Sequence, residues 1–109
     1  MKTPAALLSL SALAQESRLA IFRLLVRTGP AGLAASKIAQ RLAIPASSLS
    51  FHLKELSHAK LIRATPQGRS IIYAAEFATM NGLLAYLTDN CCGGNVCSPV
   101  TSVSCSTTQ

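Results

Sequence analysis

Apolar residues recur every three or four positions over most of the chain, in segments separated by short stretches of Gly, Pro and Ser. Between residues 4 and 13, Leu7, Leu8, Leu10 and Leu13 leave little of a helix surface polar, and Pro4 stands early, where proline is tolerated. Such a helix is covered by neighbours in its own domain or by another subunit. Leu19, Phe22 and Val26, together with Ile21, Leu24 and Leu25, predict a second helix from a Ser17 cap to about Arg27, stopped by Thr28-Gly29-Pro30. Ser36 is the expected cap of a short third helix containing Ile38, Ala39 and Leu42. Ile44-Pro45-Ala46 forms a turn, and Ser47 or Ser48 starts a fourth helix to about Lys60 with Leu49, Leu53 and Leu56 on one face. Ser50, His52 and Lys54 fall largely outside that stripe. Residues 61–65 and 70–74 are β-like runs joined by the turn residues Pro66-Gln67-Gly68-Arg69. A last helix, from about Phe77 to Thr88, carries Phe77, Met80, Leu83, Leu84 and Leu87 on one face. The predicted fold is mostly α with a small β-hairpin, in the order of a winged helix-turn-helix.

Residues 90–109 break the pattern. They are rich in Ser, Thr and Gly, carry no charged side chain and hold all four cysteines. That composition cannot form a core of its own. The chain therefore divides into a folded unit, 1–89, and a flexible cysteine-containing tail, 90–109.

A chain of 109 residues is enough for one domain, and domains this small often gain stability by dimerising. The stripe Leu83, Leu84 and Leu87, with Leu7 and Leu8, is more apolar surface than a lone domain of this size keeps exposed. The formal charge is +6, which favours a polyanionic partner. No stretch reaches the roughly 18 apolar residues of a membrane span. The first residues faintly resemble a signal peptide, but Ser9 and Ser11 interrupt the apolar run and it ends in Gln15-Glu16-Ser17-Arg18 without a cleavage site. The expected location is the cytosol, with no membrane partner. An enzyme is disfavoured: there is no Ser-His-Asp order, no pair of carboxylates and no Gly-rich phosphate loop, and four acidic residues leave few candidates for proton transfer.

The second helix of a helix-turn-helix pair enters the major groove, so it needs polar residues outside and apolar ones inside. Residues 47–54 meet that need. Ser47, Ser48 and Ser50 allow close backbone approach, His52 and Lys54 reach further, and Arg63 and Arg69 flank the hairpin where phosphates or a minor groove would lie. Taken singly, Ser47, Ser48 and Ser50 read equally well as caps and surface hydroxyls, a lone His52 is more often a surface or core histidine than a base reader, and Arg63 and Arg69 also suit a solvated hairpin face. Together they point to double-stranded operator DNA.

The runs Ala12-Leu13-Ala14-Gln15-Glu16-Ser17-Arg18-Leu19, Ser47 to Leu56 and Gly68-Arg69-Ser70-Ile71-Ile72-Tyr73 resemble the ArsR/SmtB family of metal-responsive repressors, over about residues 5–88. The resemblance implies a winged-helix homodimer with the first and last helices at the subunit interface. It also implies repression of an operator until an inducer binds. Phe51 reads as a packing residue, in a position where many members of that family carry His.

Cys91, Cys92, Cys97 and Cys105 are the remaining chemistry. A structural disulfide set does not suit the cytosol. Soft-metal binding, a thiol redox signal or an inert tail remain. Trivalent arsenic takes three thiolates, which Cys91, Cys92 and Cys97 supply if the chain folds back at Gly93-Gly94. Thiolates also suit Cd, Pb and monovalent Cu, and Zn with Cys105 as a fourth ligand. The best-known arsenic site of the family, a cysteine pair opening the third helix, is absent, since Ala34 and Ala35 stand near there. The His and Asp ligands of zinc-sensing relatives are missing from residues 77–88 as well. The run Asn90-Cys91-Cys92-Gly93-Gly94-Asn95-Val96-Cys97 instead resembles arsenic-responsive members with cysteines just beyond the last helix. The expected effector is As(III) or Sb(III), without an organic cofactor. The alternatives are a sensor of Cd, Pb, Zn or redox state, or a thiol metal buffer on the same scaffold.

Overall fold

The computed structural model describes residues 1–94. The elements are α1 (Thr3–Leu13), α2 (Glu16–Thr28), β1 (Leu33–Ala34), α3 (Ala35–Leu42), α4 (Ala46–His58), β2 (Ile62–Gln67), β3 (Ser70–Ala75) and α5 (Phe77–Leu87), followed by a 3₁₀ turn, Cys91–Gly94. The predicted order of elements is present, as a winged helix-turn-helix. It includes a strand the sequence did not announce: β1 makes the sheet three-stranded and antiparallel, in the order β1-β3-β2.

The helix starts differ from the serine caps expected. Gln15, not Ser17, caps α2, its Oε1 accepting from the Arg18 N–H at 2.9 Å. The N-cap positions of α3 and α4 are Ala34 and Pro45, neither with a side-chain cap bond, so Ser36, Ser47 and Ser48 lie inside first turns. Pro45 suits its place, because its fixed φ and missing N–H cost nothing at a helix start. Gly29 ends α2 at φ +90°. Gly32 (φ +71°) is required by packing as well, since a Cβ there would collide with the Tyr73 carbonyl oxygen across the β1–β3 pair.

The core joins α2, α3, α4 and the base of the hairpin. Ile21, Leu25, Ile38, Leu56 and Leu61 are fully buried, with Phe22, Leu24, Leu49, Leu53 and Ile62 around them. The hairpin is longer than expected. Gln67 pairs with Ser70, leaving Gly68 and Arg69 as a two-residue loop, with Gly68 (φ +65°) at the first position, where a type II′ turn demands positive φ. Its base is buried and its tip is exposed. Pro66, which cannot donate to a ladder, is accommodated because β2 is an edge strand.

In α1 the small residues face inward. Ala6, Ser9 and Ala12 are buried, whereas Leu7, Leu8 and Leu10 are exposed. α5 is more divided than its expected stripe. Leu83 is buried within the subunit, Phe77 and Met80 pack on the core, Leu84 is half-buried and Leu87 is exposed. The Thr3 and Tyr86 hydroxyls, 2.6 Å apart, tie α1 to α5.

Candidate nucleic-acid interface and cysteine turn

α3 and α4 are joined by three residues, Ala43 to Pro45. Ala43 adopts a left-handed conformation (φ 54°, ψ 44°), and the Ile44 N–H closes back on the Ala39 carbonyl at 3.2 Å. This turn sets α4 across α2 and α3. Leu49, Leu53 and Leu56 anchor α4, and every residue on the opposite side is exposed: Ser47, Ser50, Phe51, Lys54 and His58. Ser48 is also exposed, on the flank. Phe51, expected as a packing residue, is 56% exposed and stands between Ser47, Ser50 and Lys54 at helical spacing.

His52 is placed differently from the serines. It is half-buried toward α2, and its Nδ1 lies 3.3 Å from an Arg18 guanidinium nitrogen. Arg18 also donates through Nε to the Ala12 carbonyl at 2.7 Å. One guanidinium thus links the end of α1, the start of α2 and the middle of α4. The His52 ring meets Phe51 edge-on, with centroids 5.7 Å apart. Sequence reasoning missed the Arg18–His52 contact and the exposure of Phe51. Phe51 was accessible in principle from its phase opposite Leu49 and Leu53, but the Arg18 contact spans 34 positions and left no local signal.

The two arginines of the hairpin differ as well. Arg63, on β2, is paired with Glu76 at 3.3 Å. Arg69 is exposed at the tip and borders a groove shared with Ser70, Tyr73 and the first residues of α3, Ala35 and Ser36. All ten Lys and Arg lie within the described residues, as do all four acidic residues.

Beyond α5 the chain turns sharply. Asn90, Cys92 and Gly93 all have positive φ (56°, 57° and 65°), and the Cys91 N–H reaches the Thr88 carbonyl at 2.9 Å. The free thiols of Cys91 and Cys92 are brought to 3.7 Å, Cys91 half-buried and Cys92 exposed. Cys97 and Cys105 lie outside the described residues. Within those residues there is no group of three His, Cys, Asp or Glu side chains poised for a metal ion, and no helix long and apolar enough to cross a membrane.

A helix pair with a tight turn, a polar-faced second helix and a hairpin beside it define a winged helix-turn-helix DNA-binding protein. A family model described as a helix-turn-helix domain matches residues 13–64. Among solved structures, an ArsR-like transcriptional regulator from Rhodococcus sp. RHA1 is 30% identical over 77% of this chain and 76% of its own, with TM-score 0.69. NolR from Sinorhizobium fredii is 28% identical over 79% and 83% of the two chains, with TM-score 0.62. AntR, an antimony-specific transcriptional repressor, shares the fold at 23% identity over 74% and 72%, with TM-score 0.59. No curated protein matches the sequence. The chain belongs to the ArsR family of transcriptional regulators, a family of DNA-binding proteins rather than enzymes.

Proposed function

We propose that this regulator is a homodimeric repressor of an operator, released when As(III) or Sb(III) is captured by the thiolates of Cys91, Cys92 and Cys97. The observation that carries this reading is the pair of free thiols held 3.7 Å apart on the turn that leaves α5. Two sulfurs at that separation, on a turn with positive φ at Asn90, Cys92 and Gly93, suit a small ion that takes soft ligands on one side. Adjacent cysteines in extended chain would point apart. The third thiolate is assigned to Cys97, the nearest further cysteine in sequence. The likeness to the antimony-specific repressor is one of fold, so the choice of inducer rests on the cysteines.

In the same reading, operator contacts come from Ser47, Ser48, Ser50 and Lys54 of α4 and from Arg63 and Arg69 of the wing. His52 approaches DNA from the flank of α4 that leans on Arg18. For induction, the ion must favour the arrangement that binds DNA poorly, and couplings of about 1–3 kcal/mol shift affinity by about 5- to 150-fold. The test is titration of arsenite into the protein–operator complex under reducing conditions. Serine at position 91, 92 or 97 is expected to abolish release and leave operator affinity intact, whereas Cys105→Ser changes little. Release of the Cys97→Ser complex at the wild-type arsenite concentration refutes the three-cysteine site. A requirement for Cys105 with tight Zn binding favours a four-thiolate zinc sensor instead.

A further inference from the structure

We infer that Phe51 reads sequence, by packing its ring against the 5-methyl group of a thymine in the major groove of the operator. The inference rests on α4 being the helix that enters the groove.

Position carries the argument. A single exposed aromatic on a protein surface is ordinary. Phe51, however, lies directly across α4 from the buried Leu49 and Leu53, so it is centred on the face turned away from the core. Its neighbours on that face, Ser47, Ser50 and Lys54, are polar and exposed. A helix presenting this face to the groove presents Phe51 foremost, with the hydroxyls and the ammonium to either side. The major-groove edges of the bases are hydrogen-bonding groups with one apolar exception, the thymine methyl. A phenyl ring there desolvates donors and acceptors without replacing their bonds, at a cost, unless it meets that methyl.

The ring also has an aromatic neighbour. His52 touches it edge-on at a centroid distance of 5.7 Å, and His52 is itself held by Arg18, which is fastened to the Ala12 carbonyl. A side chain fixed before binding loses less conformational freedom on contact. In this arrangement His52 and Arg18 are positioning residues, and Phe51 makes the base contact.

The probe is a DNA duplex enriched by the wild-type protein from a random pool, then resynthesised with deoxyuridine replacing thymidine one position at a time. Uracil pairs as thymine does and lacks only the methyl. Fluorescence anisotropy at fixed salt is expected to show one thymine per half-site whose replacement weakens wild-type binding by about three- to fivefold, the transfer value of one buried carbon. The Phe51→Ala protein binds the thymidine duplex more weakly and does not distinguish it from the deoxyuridine duplex. Phe51→Leu retains part of the discrimination. Because Phe51 lies outside the buried core, both variants are expected to unfold at the wild-type urea midpoint.

An enriched duplex that wild-type protein binds equally well with uracil at every thymine position overturns the inference and leaves the operator reading standing. So does a Phe51→Ala protein that keeps the full thymine preference. A changed sedimentation coefficient for Phe51→Ala would place the ring between subunits and overturn it also. Failure of the pool to enrich any sequence would remove α4 as the reading helix, and this inference with it.

Discussion

Arg63 and Arg69 carry the same charge on the same hairpin and stand in different surroundings. Arg63 has a carboxylate partner in Glu76 at 3.3 Å, so a phosphate must compete for it. Arg69 is exposed at the loop, beside the start of α3. Each phosphate neutralised contributes about 0.9 to the slope of log affinity against log salt. Arg69→Ala is therefore expected to lower that slope by about 0.9 per subunit, and Arg63→Ala by less than half as much. Anisotropy titrations at four salt concentrations measure both, and the reverse order would contradict the placement of Arg69 at the backbone. At this scale the sequence was legible in residue type and less so in surroundings. The leucine spacing of α4 identifies which side is buried, and hence that Ser47, Ser50 and Lys54 are outside. It does not reveal that His52 leans on Arg18 or that Glu76 answers Arg63, because these partners are distant along the chain.

Among the elements, the α3–α4 turn is where local preference and tertiary need disagree. Ala43 occupies a left-handed conformation at φ 54°, and its N–H is bonded to the Ala39 carbonyl. A residue with a Cβ is strained there by about 1–2 kcal/mol, and glycine is the usual occupant of such a helix end. Ala43→Gly relieves the strain but adds freedom to the unfolded chain. The net expectation is a gain in stability of up to about 1 kcal/mol, seen as a higher urea midpoint at unchanged slope. A lower midpoint would contradict the conformation of this turn. Because alanine is the best helix former, no local signal marks the break at Ala43, and the expected turn lies one residue later. β1 escaped for a different reason. Two residues carry no periodicity, and Leu33–Ala34 becomes a strand only by pairing with Tyr73 and Ile72 of the distant wing. That pairing extends the chain up to Ala34, which starts α3 there instead of at a Ser36 cap. The hairpin was legible because Gly68 between two β-rich runs is a local signal.

The molecule as a whole leaves one surface unexplained by its own core. α1 turns Ala6, Ser9 and Ala12 inward and Leu7, at 61% exposure, outward. α5 buries Leu83 and exposes Leu87 at 55%. The Thr3–Tyr86 hydroxyl contact ties the two helices together. A domain stable by itself would place its large apolar groups inside and the small ones outside; α1 does the opposite. In the proposed homodimer a second copy covers this surface, since a two-fold interface presents the same patch to itself. Dimerisation also supplies what one reading helix lacks, a second helix for a half-site roughly 34 Å along the duplex. The cysteine turn follows α5 directly, so in the proposed function ion capture acts on the helix that bears Leu87. Sedimentation of the wild-type protein at micromolar concentration is expected to give a dimer. Leu7→Glu and Leu87→Glu each put a charge into the proposed interface and should give folded monomers, because neither side chain belongs to the buried core. These monomers should keep salt-sensitive non-specific DNA binding, which depends on the basic surface, and lose specific operator binding, which depends on two linked heads. A wild-type monomer, or a Leu87→Glu protein that remains dimeric and binds its operator normally, would move the interface away from α1 and α5.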